Sequence, residues 1–113
     1  MKIWVDDVRP APKGYTWVKS VNKAKSVIVK FENENRYFAE EAWGLKMEPI
    51  PLEVIDIDHD AGDYVSEGGD YIKLLNWLEA TGRNYPIRIH SMNPVGVQNM
   101  RAIIKRNGWT EVN

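Results

Sequence analysis

Apolar and polar positions alternate along the chain with two periods, and the two take turns. Lys2-Ile3-Trp4-Val5-Asp6-Asp7 is a short apolar run ending in two acids, and Tyr15-Thr16-Trp17-Val18-Lys19 is rich in β-formers; both read as strands. Between them, Val8-Arg9-Pro10-Ala11-Pro12-Lys13-Gly14 carries two prolines and a glycine and reads as a loop. Ser20 is an N-cap candidate. Ala24, Val27, Ile28 and Phe31 then recur at helical spacing opposite Lys23, Lys25 and Lys30, which predicts a helix over about 21–32. Glu32-Asn33-Glu34-Asn35 breaks that pattern. Residues 36–50 fit a short helix, a hairpin or a flap, with aromatics that cover core or, in the minority reading, ligand.

The second half is clearer. Val54, Ile55 and Ile57 give a buried strand over 52–58 that ends in Asp58-His59-Asp60, and Gly62 lets the chain turn out. A helix capped by Gly69 or Asp70 carries Ile72, Leu74, Leu75, Trp77 and Leu78, with Gly82 just past its end. Tyr85 to Ser91 is the next strand. Asn93 as N-cap with Pro94 at the first helical position starts a helix that stops at Gly108. Trp109-Thr110-Glu111-Val112 reads as a last short strand. This alternation predicts one α/β domain over 1–113 with a mostly parallel sheet of about five strands, and an insertion or flap at about 33–50.

Composition narrows the function. The 113 residues contain no cysteine, so disulfides, thiolate metal sites and thiol nucleophiles are excluded; a reducing cytoplasm suits such a chain. A net charge of −1 gives no bulk attraction to nucleic acid or membrane, so stable DNA binding is not expected. No apolar run reaches membrane-spanning length. The charge is uneven, however. Asp56, Asp58, Asp60, Asp63, Glu67 and Asp70 follow one another with no Lys or Arg between them.

The strand ends bring the chemistry together, because open parallel sheets bind ligands at the carboxyl ends of their strands. Asp6-Asp7, Asp58-His59-Asp60 and His90-Ser91 all fall there. Carboxylates gathered at one edge repel unless a cation joins them, and hard oxygen ligands suit Mg²⁺ or Mn²⁺. Asp6, Asp7 and Asp58 are the leading ligands, with Asp60 a fourth candidate. Asp56 reads as a supporting acid or a partner of Arg9 or Arg88. His59 and His90 are the candidate acid and base. Ser91, the Asn93-capped helix start and Gly96 form a candidate phosphate site, with Arg9 either touching phosphate or pairing with an acid. Each acid pair or histidine taken alone also fits a structural role. Their convergence favours phosphoester chemistry on a phosphate-containing ligand.

Ile3-Trp4-Val5-Asp6-Asp7-Val8-Arg9-Pro10, Asp58-His59-Asp60-Ala61-Gly62 and His90-Ser91-Met92-Asn93-Pro94-Val95-Gly96 together resemble the cyclic-phosphate-processing receiver-like domains, a divergent branch of the response-regulator receiver fold. The resemblance implies a flavodoxin-like, three-layer fold and action on cyclic phosphates such as those on damaged RNA ends. It makes Asp6 and Asp7 the acidic pair, Asp58 the equivalent of the phospho-accepting aspartate and Ser91 that of the hydroxyl residue. Two departures stand out. No lysine ends the last strand, and the proline-rich loop 8–14 replaces the first receiver helix. Both count against a phosphorelay, while the two histidines favour hydrolysis. The expected function is therefore a metal-assisted phosphoesterase acting on a phosphate-containing small molecule or RNA end. The alternatives are a receiver-type module phosphorylated on Asp58, or a nucleotide binder without catalysis. In the enzyme reading Asp58 is either ligand or nucleophile.

Overall fold

The computed structural model describes residues 1–41 and 50–113. Four strands, β1 (Lys2–Val5), β2 (Tyr15–Val18), β3 (Val54–Ile57) and β4 (Ile87–Ile89), form one sheet in the order β2-β1-β3-β4, with every pairing parallel. Three α-helices follow β2, β3 and β4 in turn: α1 (Val21–Glu41), α2 (Ile72–Ala80) and α3 (Pro94–Asn107). The expected fifth strand does not form. Residues 109–112 meet the sheet through a single bridge between Glu111 and Ile87. Strand β4 is itself only three residues long and leaves little ladder to extend.

The layering also differs from expectation. The connections β2–α1–β3 and β3–α2–β4 step across the sheet in the same direction, and right-handed crossovers then put their helices on one face. The core agrees. Ile3, Val5, Ile55, Ile57 and Ile87 pack in one cluster with Val21, Ala24 and Ile28 of α1, Leu74, Leu75 and Leu78 of α2, and Met100, Ile103 and Ile104 of α3. Trp4, Val54 and Asp56, which alternate with those strand residues, are buried outside that cluster or project a carboxylate. Among the described residues the arrangement is therefore two-layered rather than three-layered. The other face is covered partly by loop 6–14, which has no helix and is pinned where the Trp4 indole N–H donates to the Arg9 carbonyl (2.9 Å).

Ser20 caps α1 as expected, its hydroxyl accepting from the Lys23 amide. The helix does not stop at 32. It runs on through Glu32-Asn33-Glu34-Asn35, because Glu32 is held by Arg83 and Tyr85, and the Asn35 amide reaches the Ile50 carbonyl. At 21 residues it is roughly 31 Å long, against roughly 13 Å for a four-residue strand, so its C-terminal end overhangs the edge where the strands begin. Of the stretch 36–50, the part up to 41 is helical and 42–49 lies outside the described residues. Helix α2 is capped by neither Gly69 nor Asp70 side chain: its N-cap is Tyr71, and the Asp70 carboxylate accepts from the Ala61 amide instead. Asn93 and Gly108 cap α3 as the sequence indicates.

Candidate active site

The ladder carries on one residue past each strand. The Asp6 amide donates to the Val18 carbonyl, the Asp58 amide to Val5 and the His90 amide to Ile57, at 2.9–3.2 Å. These bonds fix the first polar residue beyond β1, β3 and β4 in line. Asp6, Asp7 and Asp58 then each place a carboxylate oxygen within 4.8 Å of the others, a group that could hold a metal ion. Three acids of two hard oxygens each, one of them fully buried, are a donor set suited to a hard divalent cation.

Asp6 is the rigid member. It is 1% exposed, and its Oδ1 accepts from the Val8 and Arg9 amides at 2.9 Å. Burial, the largest single influence, pushes its carboxyl up. The two amides and His90 together outweigh burial and hold it below the usual carboxylate range. Asp58 spends one oxygen on the His59 amide. The Asp7 carboxylate has no hydrogen-bond partner among the described residues, and Gly62 lies hard against it. A Cβ at 62 would stand 2.2 Å from Asp7 Oδ2, and the backbone there has φ +55°, so both space and conformation require glycine. Tyr71, fully buried beneath the acids, has its hydroxyl pushed well up by burial and then by Asp7, Asp6 and Asp58; it donates to the Lys19 carbonyl.

The two histidines occupy opposite sides of the sheet edge. Side chains alternate along a strand, and Asp56 pairs in register with Trp4 and Arg88, so His90 falls on the Asp56 side. Its Nδ1 meets Asp56 Oδ1 at 2.6 Å, its Nε2 meets Asp6 Oδ2 at 2.9 Å, and its ring stacks on Trp4 at 3.8 Å. Each ring nitrogen therefore faces a carboxylate oxygen. His90 thus has no nitrogen left for a substrate, and the expected exchange of protons between His59 and His90 does not fit its placement. Asp56 also accepts from Arg88 (2.9 Å), the pairing foreseen for it, and not from Arg9.

His59 sits on the helix side. Its ring lies over Gly96, where a Cβ would come within 2.4 Å of the imidazole. Nδ1 faces Asp60 Oδ1 at 2.9 Å, with the Asn93 amide farther off at 3.4 Å. With Nδ1 donating to Asp60, Nε2 is left as an acceptor with no partner among the described residues. Asp60 therefore belongs to His59 and not to the acid cluster. A side chain at 96 would thus meet the His59 ring, and the Gly96 amide donates to Asn93 Oδ1 (3.0 Å). The Val97 amide is taken by the Asn93 carbonyl and Pro94 has none, so the α3 start keeps little donor capacity for an anion. The Ser91 hydroxyl accepts from the Asn93 amide (3.1 Å) and borders a groove with Met92, Pro94 and Arg101. Arg9 contributes its backbone, and its guanidinium makes no ion pair among the described residues.

Sequence reasoning missed Trp4 and Tyr71, and read Gly62 only as a turn glycine and not as the neighbour of Asp7. Strand alternation puts Trp4 on the same side as Asp6, but the register that stacks it on His90 is a tertiary fact.

A parallel four-stranded α/β sheet with an acidic pair after its first strand and a third aspartate after the adjoining strand is a receiver-like domain. The family model described as the cyclic-phosphate processing receiver domain matches residues 1–106, and the chain belongs to that family. No curated protein and no solved structure matches it.

Proposed function

We propose that this domain is a metal-assisted phosphoesterase that opens cyclic phosphates. The observation that carries the reading is the convergence of Asp6, Asp7 and Asp58 at one strand edge, in a family described by cyclic-phosphate processing. Asp6, Asp7 and Asp58 would hold Mg²⁺ or Mn²⁺, which supplies charge stabilisation at a phosphoryl oxygen and a more acidic water. His59 takes the proton of the attacking water at Nε2, with Asp60 holding Nδ1–H. One ring P–O bond breaks as the new P–O bond forms, and the same proton passes to the departing alkoxide. His90 acts through Asp6: clamped between Asp56 and Asp6, it orients a carboxylate and never touches substrate. Ser91 supplies a hydroxyl for a phosphate oxygen, and the Arg9 guanidinium, which makes no ion pair among the described residues, supplies a cation.

The deciding experiment is a panel of 2′,3′-cyclic phosphate RNA ends, 2′,3′-cyclic nucleotides and 3′,5′-cyclic nucleotides, with Mg²⁺, Mn²⁺ or EDTA. At least one member is turned over only with metal, and His59→Ala lowers that rate about 100-fold or more. No turnover of any member overturns the proposal. Stable phosphorylation of Asp58 by a small phosphodonor would replace it with a signalling module.

A further inference from the structure

Beside the acid cluster lies a cavity of about 320 Å³, lined by Trp17, Lys19, Ser20, Lys23, Tyr64 and Glu67. It shares walls with the site. The Trp17 indole N–H donates to the Asp6 carbonyl (2.7 Å), Tyr64 ends the short turn (Gly62–Tyr64) whose Gly62 presses on Asp7, and Tyr71 holds the Lys19 carbonyl. Trp17 is 37% exposed, although its sheet neighbour Trp4 is buried. The Lys19 ammonium lies over two rings, 4.5 Å from the centre of Trp17 and 6.0 Å from that of Tyr64.

We infer that this cavity is a nucleobase subsite, so that the substrate of the cyclic-phosphate reaction is a nucleoside cyclic phosphate. The inference rests on the phosphoesterase reading for its chemistry, but not for its binding. Two aromatic rings at the border of a phosphate-directed site offer a flat base a place to stack once it displaces the Lys19 ammonium from over them, a contact open to every base because each has a π-face. Among its lining residues, two lysines stand against the single carboxylate of Glu67. The cavity therefore rejects a cationic guest that a plain aromatic cage would take, and favours an aromatic ligand carrying negative charge. The start of α1 adds little, since Ser20 and the Glu67 carbonyl already hold the amides of Lys23, Ala24 and Asn22. Lys19 and Lys23 are the groups that meet the ligand's charge, and Glu67 is an acceptor for ring amino groups.

The test is binding in EDTA, where turnover is absent. Adenosine 2′,3′-cyclic phosphate, glycerol 1,2-cyclic phosphate and a short RNA ending in a 2′,3′-cyclic phosphate are titrated calorimetrically. The nucleotide binds about tenfold or more tightly than the base-free ester. Tyr64→Leu and Lys23→Gln each weaken nucleotide binding severalfold and erode that preference, with circular dichroism confirming the fold. Tighter binding of the RNA assigns the subsite to RNA ends, and equal binding assigns it to free nucleotides. Either supports base recognition. Equal affinity for the base-free ester, or nucleotide binding untouched by both variants, overturns the inference. If both esters are then hydrolysed with metal, the phosphoesterase reading survives alone. If nucleotides bind through Tyr64 and nothing is hydrolysed, the subsite survives and the reaction does not.

Discussion

Asp6 carries the largest share of the site's order, and its acidity can be read in stability. Its carboxyl is held below the ordinary range in the folded chain. A group depressed in this way adds stability above its unfolded value of about 3.8, and that stability is lost as pH falls through the folded value. The urea midpoint is therefore expected to be flat above about pH 5 and to fall below about pH 4. In Asp6→Asn the fall is shallower, and an equally steep fall in that variant would refute the assignment. The residues themselves announced this chemistry: Asp6, Asp7 and Asp58 follow apolar strand runs, and topology alone sends such ends to one edge. The chemistry of each histidine was less legible. Two imidazoles at adjoining strand ends look equivalent in a sequence. One faces Asp56 across the register and the other lies on Gly96, and only the pairing of β3 with β4 separates them.

At the level of elements, α1 is the instructive departure. The polar run Glu32-Asn33-Glu34-Asn35 lacks apolar periodicity, yet the helix continues because tertiary partners meet it. Glu32 receives a two-pronged Arg83 (2.8–3.1 Å) and the Tyr85 hydroxyl, and Arg83 also covers the Trp77 ring at 4.3 Å. Burial pushes the Glu32 carboxyl up, but Arg83 and Tyr85 outweigh it and hold it low. Burial and then Glu32 push Tyr85 up to about 12. This knot ties α1 to the segment between α2 and β4. Glu32→Gln keeps the shape and removes the charge, so it is expected to cost about 1–2 kcal/mol, read as a lower urea midpoint at pH 7. No change at all would mean that the helix extension stands on its own propensity. The caps of α1 and α3 were legible because capping is local; the Glu32 contacts, some fifty residues apart in sequence, were not.

For the whole molecule, the acid cluster sets a balance between holding charge together and holding the fold together. Three carboxylates at one edge repel, and a cation that binds only the folded chain relieves them. At a concentration 100 times its dissociation constant, such a cation stabilises by about 2.7 kcal/mol. Adding Mg²⁺ or Mn²⁺ is therefore expected to raise the melting temperature by several degrees, with Asp58→Asn abolishing most of the rise; an unchanged melting temperature in wild type would remove the metal from the proposed site. The parallel α/β class was legible from the alternation of strand and helix patterns. The number of layers was not, because a helix shows which of its faces is apolar but not which side of a sheet it will cover.

The overhang of α1 divides the molecule into two ends with different duties. The Met1 amino group donates to the Pro51 carbonyl, the Glu53 amide to that of Met1, and Asn35 reaches Ile50, all at the edge where the strands begin. The acids, His59 and the aromatic cavity stand at the edge where they finish. A copy held through the edge where the strands begin would thus turn its acidic edge outward, so that its orientation on a surface comes from the direction of four parallel strands.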